Sequence, residues 1–449
     1  MPNSHAFLPS SEAEAVVRSL PSAFHLYRGP CFSFRFWDGS TWTCSSDSAI
    51  FVVSFRTERA WKRFRSPVSK TDLAELFISG EIDIEGNLYA AIRSYQSIHS
   101  SIDRGLGSVV AFLVGWLKGL SRYRRMFLAA NSVHREPANG MACSIHPERP
   151  YEWYRLWLGK SMVFSSGYFQ TFREDLDQAQ ENGLEQVCNK LQLARGDRFL
   201  DLSCNWGSLL MHVAMRNEVT AHGFSQDNEQ IATTELKLIQ AELTSRCDVQ
   251  FGDYKSLRKI KTPFSKIACI GLSEHPGQRQ LPEYFRSVSG KLRVGGLFLC
   301  DFLTGSTPHE RFPHFSPGVG MFEREFLTLS RILECAEAAG LSIVNVDEMK
   351  DHYEETLRLW FLALTKHRHE LARLANRKSV RAWELYIACL AESLRAGHIS
   401  LHQILFRKGL NGVAIMPPLS NRWQREGDLY PLPYTPHSLD GTSCAYGRW

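Results

Sequence analysis

Residues 198–207 read Arg-Phe-Leu-Asp-Leu-Ser-Cys-Asn-Trp-Gly and have the pattern of a buried strand, a tight turn and the start of a helix. Asp201 opens the turn, and apolar residues at helical spacing follow Gly207. This order predicts the place where an open α/β sheet binds a nucleotide-like ligand. Such a turn favours glycine at Ser203 and Asn205, because glycine adopts positive φ without strain. Asparagine is the next most tolerant residue, so Asn205 is compatible with the turn.

Strand and helix patterns alternate from Tyr151 onward, which predicts a parallel sheet covered on both faces. A helical region from about 365 to 405 is predicted after the last strand. The predicted strands are Arg198–Leu202, Val219–Phe224, Asp248–Phe251, Lys266–Ile270, Leu297–Phe302 and Ser342–Asp347.

The chain has 449 residues, a length that predicts two domains. Residues 1–127 predict an N-terminal α+β domain, with short strands near 32 and 50, a helix over 72–77, a turn-rich segment over 80–86 and a helix from 88 to about 98. We predict a linker over 128–150, an α/β domain over 151–415 and an irregular tail over 416–449.

Composition is that of a soluble globular protein, and a net charge of +5 gives no indication of nucleic-acid binding. The cysteines form no CxxC pair, so we predict no metal site and reduced thiols in the cytoplasm. An apolar stretch over 105–120 is shorter than the ~20 residues of a membrane span. It predicts either a buried helix with a basic end or a helix lying on anionic lipid at the inner membrane surface.

The chain resembles the cyclopropane fatty acid synthase family, which includes the mycolic acid cyclopropane synthases. The resemblance runs from Gly80 to about Lys408, and His352-Tyr-x-x-Thr-Leu-x-x-Trp360 is its most specific part. It implies a Rossmann-like class I methyltransferase sheet with helical insertions that bind an acyl chain, beside the smaller N-terminal α+β domain. The other matching motifs, in order, are Tyr154-Arg-Leu-Trp-Leu, Phe164-Ser-Ser-Gly-Tyr-Phe169, Asp201-Leu-Ser-Cys-Asn-Trp-Gly207, Gly252-Asp-Tyr254, Gly271-Leu-Ser-Glu-His275, Gly295-Gly-Leu-Phe298 and Arg395-x-x-x-Ile-x-x-x-Gln403.

The resemblance implies S-adenosyl-L-methionine as the cofactor. Its sulfonium is a cation, so acidic groups and aromatic faces suit its site. Alternatives for three positions are a turn residue at Asp201, a helix N-cap at Asp253 and packing of the first helix by Trp206. Pro147 departs from the family's pattern near the cofactor. The cofactor-binding residues carried over are Asp201, Ser203, Cys204, Asn205, Trp206, Gly207, Asp253 and Tyr254.

The family holds a bicarbonate ion, which removes a proton during ring closure, with a cysteine-containing segment, a glutamate, a histidine and a tyrosine. Glu274 and Tyr353 match this set, whereas Ser166 and Asp301 stand at the cysteine and histidine positions. Two neighbouring carboxylates disfavour an anion, so bicarbonate is disfavoured here. We hypothesise that Asp301 is an internal general base. The alternative is that Asp301 points away or pairs with an arginine.

The function predicted from this resemblance is S-adenosylmethionine-dependent C-methylation of unsaturated fatty acyl chains of phospholipids, as in a cyclopropane synthase. One alternative is altered chemistry on the acyl chain, giving methyl branching or desaturation. Another is a catalytically degenerate lipid-binding partner subunit. The implied partners are an unsaturated phospholipid or fatty acyl substrate, the membrane surface and a second copy in a homodimer.

Overall fold

A computed structural model describes residues 20, 27, 29–65, 70–94, 149–171, 173–271, 276–307, 311–316 and 320–409. Glu274, the segment 146–148 with Pro147, the apolar stretch 105–120 and the tail 416–449 lie outside the described residues. Among the described helices, none is long and apolar enough to cross a membrane.

The N-terminal part forms a four-stranded sheet in the order β2-β1-β3-β4. Strands β1 and β3 are parallel, and the other neighbours are antiparallel. The strands are β1 (Phe32–Arg35), β2 (Thr41–Thr43), β3 (Phe51–Phe55) and β4 (Ile82–Gly86), and the helices are α1 (Glu58–Arg65) and α2 (Lys70–Ser79). Residues 88–94 are also helical.

The second part is built on a seven-stranded sheet in the order β12-β13-β9-β8-β5-β6-β7. The neighbours from β9 to β7 are parallel, and β13 runs antiparallel to both β9 and β12. Its strands are β5 (Arg198–Asp201), β6 (Thr220–Ser225), β7 (Cys247–Phe251), β8 (Phe264–Cys269), β9 (Leu292–Gly305), β12 (Leu341–Glu348) and β13 (Ile399–Lys408). A separate hairpin pairs β10 (Arg311–Ser316) with β11 (Gly320–Glu325).

Helices cover the large sheet, and polar side chains cap several of their N-termini. Asp175, Asp227, Thr328 and Asn376 each accept a hydrogen bond from a backbone N–H of the first turn. The helices are α3 (Tyr151–Arg155), α4 (Leu176–Leu191), α5 (Ser208–Asn217), α6 (Asn228–Gln240), α7 (Leu281–Lys291), α8 (Leu329–Ala338), α9 (Lys350–Lys366), α10 (Arg368–Leu374) and α11 (Arg377–Arg395), with a 3₁₀ helix at Tyr254–Lys259.

The six strands predicted after Tyr151 are all present, and two predictions of local structure are wrong. Residues 399–408 form β13 and not the end of a helical region, because Gly397 at φ 72° ends α11 and the next residues pair between β9 and β12. Residues 82–86 form β4, since they pair with β3. The sheet is mostly parallel, as predicted from the alternation, except that β13 enters it in the opposite direction.

One hydrophobic core extends from the N-terminal sheet into the helices of the second part, where it includes Trp153, Trp360 and Trp383. Arg381 of α11 ties the two parts together. Its buried guanidinium donates to the carbonyls of Phe77 and Ile82 and to the carboxylate of Asp83. The predicted domain boundary near 127 and most of the predicted linker lie outside the described residues.

Candidate functional site

A cleft opens at the carboxyl ends of β5, β8 and β9, where an α/β sheet is expected to bind its ligand. Six of the predicted site residues line it: Ser166, Asp201, Ser203, Cys204, Asn205 and Asp301. Further lining residues include Phe164, Gln180, Leu209, Met349 and Gln403.

The turn after β5 accommodates both departures from glycine. Asn205 has φ 47°, the left-handed conformation that asparagine tolerates, and its amide donates to the Ser203 carbonyl at 2.8 Å. Ser203 has no positive φ, and its hydroxyl donates to the Ile270 carbonyl at 3.1 Å, which joins the turn to the end of β8. The prediction that the turn survives at Asn205 is confirmed.

Glycine is required at Gly207, where the turn meets α5. Its φ is 81°, and an added Cβ would lie 2.5 Å from the Thr234 side chain of α6. Cys204 packs its sulfur against Gly223 of β6, so a cleft-lining residue also fixes the turn to the sheet.

Trp206 points into an aromatic cluster instead of the cleft. Its ring centroid lies 5.2 Å from that of Tyr151 and 5.5 Å from that of Tyr154, and the side chain is 1% exposed. Lys237 donates to the Trp206 carbonyl at 3.0 Å. These contacts favour the packing alternative for Trp206.

Asp253 and Tyr254 also lie apart from the described cleft lining. Asp253 caps the 3₁₀ helix, because its carboxylate accepts from the backbone N–H groups of Lys255 and Ser256. Tyr254 is buried against Tyr284, with ring centroids 5.4 Å apart. The geometry matches the N-cap alternative for Asp253.

Asp201 is a buried carboxyl at the base of the cleft. It is 1% exposed, and burial raises the pKa of Asp201 to about 7, while the hydrogen bond from the Ser203 N–H at 3.1 Å opposes that shift. A cation in the cleft would favour the ionised form of this carboxyl.

Asp301 is the second buried carboxyl in the cleft, and it does not point away. It accepts hydrogen bonds at 3.0 Å from the Gln403 amide and at 3.0 Å from the Ser165 hydroxyl. Burial raises the pKa of Asp301 to about 6, and both donors and the Lys190 charge oppose that shift. The carboxyl is therefore positioned as a hydrogen-bond acceptor that titrates just below neutral pH.

Helix α9 holds the loop that carries Ser165 and Ser166. The Thr356 hydroxyl accepts from the Gly167 N–H at 2.9 Å, and Nδ1 of His352 accepts from the Phe169 N–H at 3.2 Å. The Ser166 hydroxyl donates to the Gly167 carbonyl at 2.8 Å, so it is engaged within the loop. The family motif on α9 therefore supports one wall of the cleft.

Tyr353 lies on the same helix behind the cleft and is not one of its described lining residues. It is 2% exposed and packs edge-on against Trp360, with ring centroids 6.3 Å apart. Burial raises the pKa of Tyr353 well above its ordinary value, and the charges of Tyr386 and Asp301 add to the shift. Tyr353 is therefore a neutral phenol, and it lies close enough to Asp301 for the Asp301 charge to affect its pKa.

Gln403 and Lys190 contribute to the site but were not among the site residues predicted from the sequence. Lys190 is 0% exposed and bonds to Gln403, which bonds in turn to Asp301. The position of Lys190 was a usable signal, because it follows Leu184 and Val187 at helical spacing on the apolar face of α4. Gln403 ends the motif Arg395-x-x-x-Ile-x-x-x-Gln403, which marked it as part of the resemblance, but its place in a region predicted to be helical gave no indication of a role in the site.

The cleft suits the sulfonium of S-adenosylmethionine better than an anion. The charged side chains among its described lining residues are Asp201 and Asp301, both carboxylic acids. A cation in the cleft favours the ionised form of either carboxyl, whereas an anion such as bicarbonate is disfavoured beside them.

A family model described as mycolic acid cyclopropane synthetase matches residues 139–404. A probable fatty acid methyltransferase of Pseudomonas putida is 28% identical over 423 residues, which cover 92% of this chain and 100% of that protein. Cyclopropane mycolic acid synthase 1 of Mycobacterium tuberculosis is 25% identical over 59% of this chain and 95% of its own length. Sphingolipid C9-methyltransferase A of Emericella nidulans is 23% identical, covering 82% of this chain and 71% of its own length.

Solved structures support the fold. A mycolic acid cyclopropane synthase crystallised with SAH and CTAB superposes with a TM-score of 0.54 at 23% identity, covering 60% of this chain and 98% of that one. Coclaurine N-methyltransferase bound to N-methylheliamine and SAH superposes with a TM-score of 0.55 at 18% identity, covering 75% and 99%. The predicted Rossmann-like class I methyltransferase fold is confirmed.

Proposed function

The chain belongs to the mycolic acid cyclopropane synthetase family of S-adenosylmethionine-dependent methyltransferases, and we propose that it methylates a carbon–carbon double bond in the acyl chain of a phospholipid, closing a cyclopropane ring. The observation that carries this proposal is the pair of buried carboxyls in one cleft, of which Asp301 is held by two hydrogen-bond donors. The relatives described as fatty acid and sphingolipid methyltransferases support a lipid acyl chain as substrate.

Asp201, Ser203 and Asn205 would hold the cofactor against the turn after β5, and Ser166 also lines the cleft. S-adenosylmethionine supplies an electrophilic methyl group carried on a sulfonium sulfur. The Asp201 carboxylate favours that positive charge, and the backbone of the turn fixes its position.

Asp301 accepts the proton that the substrate loses. Adding a methyl group to the double bond leaves a positive charge on the acyl chain, and removing one proton from the new methyl group closes the ring. The substrate then gains one CH₂, and the proton moves to the Asp301 carboxylate. Ser165 and Gln403 favour the ionised carboxylate before the transfer, because both donate hydrogen bonds to it.

Mass spectrometry of acyl chains tests this proposal. The purified protein is incubated with S-adenosylmethionine and vesicles of unsaturated phospholipid, and saturated phospholipid serves as the control. We expect unsaturated chains to gain the mass of one CH₂ and NMR to detect ring protons. A methylene branch would have the same mass without those protons, and a loss of two hydrogens would indicate desaturation.

Calorimetry distinguishes the enzyme from a degenerate lipid-binding subunit. We expect S-adenosylmethionine and S-adenosylhomocysteine to bind the wild-type protein. Absence of binding for both compounds would contradict the proposed activity. Co-sedimentation with anionic vesicles in the same preparation tests the proposed action at a membrane surface.

A further inference from the structure

Three polar residues stand side by side across the sheet beneath the cleft. In the strand register, Asp301 of β9 is opposite Gln403 of β13, and Gln403 is opposite Asp347 of β12. Neighbouring strands are about 5 Å apart, so the two carboxylates flank the amide on either side. Asp301 is buried, whereas the Asp347 side chain is 34% exposed.

Lys190 of α4 reaches this row from the helix layer. Its side chain is 0% exposed, and its ammonium donates to Asp347 at 2.6 Å and to the side-chain oxygen of Gln403. Burial lowers the pKa of Lys190, and the charges of Asp347 and Asp301 oppose the shift. A lysine buried this completely is costly unless it is paired, and the Lys190 ammonium is paired with Asp347 and with the Gln403 amide oxygen.

The ammonium determines which way the Gln403 amide points. A protonated lysine has donors and no acceptor, so it must face the amide oxygen. The amide nitrogen then faces Asp301, where it donates at 3.0 Å. Without Lys190 the amide is free to rotate by 180° and present its oxygen to Asp301, a contact that favours the protonated carboxyl.

We infer that Lys190 is a positioning residue that acts through Gln403: it fixes the amide and so keeps Asp301 ionised and ready to accept a proton. This inference rests on the proposed role of Asp301 as proton acceptor. It assigns the buried lysine a part in the chemistry although Lys190 is not among the described lining residues of the cleft.

Three other described groups interact electrostatically with Asp301 or Lys190, and none of the three carries a positive charge near pH 7. Burial lowers the pKa of His352 to about 4, so this imidazole is neutral near pH 7. Burial raises the pKa values of Tyr353 and Cys300 well above their ordinary ranges, so both are neutral. Of these groups, Lys190 is the one whose positive charge lowers the pKa of Asp301.

Infrared titration of carboxyl groups tests the inference without methyl transfer. The protein is labelled with ¹³C-carboxyl aspartate, and the Asp301→Asn variant identifies the Asp301 band. We expect this band to titrate near pH 6 in the wild type and at least about one pH unit higher in Lys190→Met. Lys291→Met is the matched control, because Lys291 donates to the Ile260 carbonyl on another part of the fold.

A second variant, Gln403→Met, keeps the Lys190–Asp347 pair and removes the amide. It should raise the titration midpoint as well, and the double variant Lys190→Met/Gln403→Met should shift no further than the larger single shift. An unchanged midpoint in both single variants, or fully additive shifts, would overturn the role assigned to Lys190. If the midpoints shift as expected but wild-type protein transfers no methyl group, the proposed function fails and the role of Lys190 stands.

Discussion

As the proposed proton acceptor, Asp301 should set the pH range of methyl transfer. Its carboxyl must be ionised to act as a base and has a pKa of about 6, so methyl transfer should fall as the pH drops through about 6. The rate at saturating substrate, measured between pH 5 and pH 8, checks this.

Asp301→Asn should lower that rate roughly 10²–10⁴-fold and remove the acid limb. S-adenosylmethionine binding, measured by calorimetry, should persist in this variant as the control. Wild-type turnover that requires bicarbonate, together with an unaffected Asp301→Asn variant, would contradict an internal base.

Asp201 makes the free protein less stable as the pH rises. Its pKa is about 7 when folded, against about 4 in an unfolded chain, so the folded state holds the proton more tightly. This contribution is fully present below about pH 4 and is lost as the pH rises through about 7.

Asp201→Asn should therefore be more favourable for stability at pH 8 than at pH 4. The change that it causes in the free energy of unfolding should differ between the two pH values by on the order of a few kcal/mol. Urea unfolding at the two pH values measures the difference, and calorimetry should show weaker cofactor binding at pH 8. An equal stability change at both pH values would argue against a buried neutral carboxyl.

These two carboxyls could be predicted from the sequence, but their surroundings could not. The motif after β5 and the family's ordered segments indicated Asp201 and Asp301. Whether a carboxyl is neutral or paired depends on groups that are distant along the chain. Lys190 and Gln403 are 213 positions apart, and only the fold brings them together.

Helix α9 should control the loop that carries Ser165 and Ser166. Thr356→Val removes the acceptor of the Gly167 N–H while keeping the side-chain shape, so we expect a loss of about 1–3 kcal/mol in unfolding free energy and a slower methyl transfer. Urea unfolding and initial rates measure the two effects.

Thr365→Val is the matched control on the same helix. The Thr365 hydroxyl donates to the Phe361 carbonyl one turn earlier, so its loss leaves the loop in place. Thr356→Ser should recover most of the stability, because it restores the hydroxyl. Equal rates in Thr356→Val and Thr365→Val would contradict the supporting role of Thr356.

The strands were predicted correctly from the sequence where strand and helix patterns alternate. The strand β13 was not predicted, because its structure depends on hydrogen bonding to distant strands. Strands β5 to β9 have short apolar runs bounded by turns, which the sequence displays. Apolar residues at 401, 404, 405 and 406 suit a helix as well as a strand. Their antiparallel pairing with β9 and β12 makes them β13, and this pairing is not visible locally.

The two predicted domains share one core, so the described parts should unfold together. Arg381→Met leaves the carbonyls of Phe77 and Ile82 and the Asp83 carboxylate without the donors that Arg381 supplies. We expect a loss of about 3 kcal/mol, since a buried charge loses its partner.

Circular dichroism and tryptophan fluorescence, followed during urea unfolding, check this prediction. Coincident transitions are expected for the wild type. Arg373→Ala, which changes an exposed arginine of α10, should leave the midpoint in place. Two well-separated wild-type transitions would show that the N-terminal sheet is an independent unit.

The position of β13 within the sheet has a consequence for how the protein is made. This strand is the last one along the described chain, yet it lies between β9 and β12, which are synthesised earlier. A nascent chain on the ribosome therefore exposes the facing edges of β9 and β12 until β13 has emerged, and such unpaired edges invite aggregation. Because Gln403 is on β13, one of the two donors to Asp301 is added last, so the proposed proton acceptor gains this hydrogen bond only when the sheet is complete.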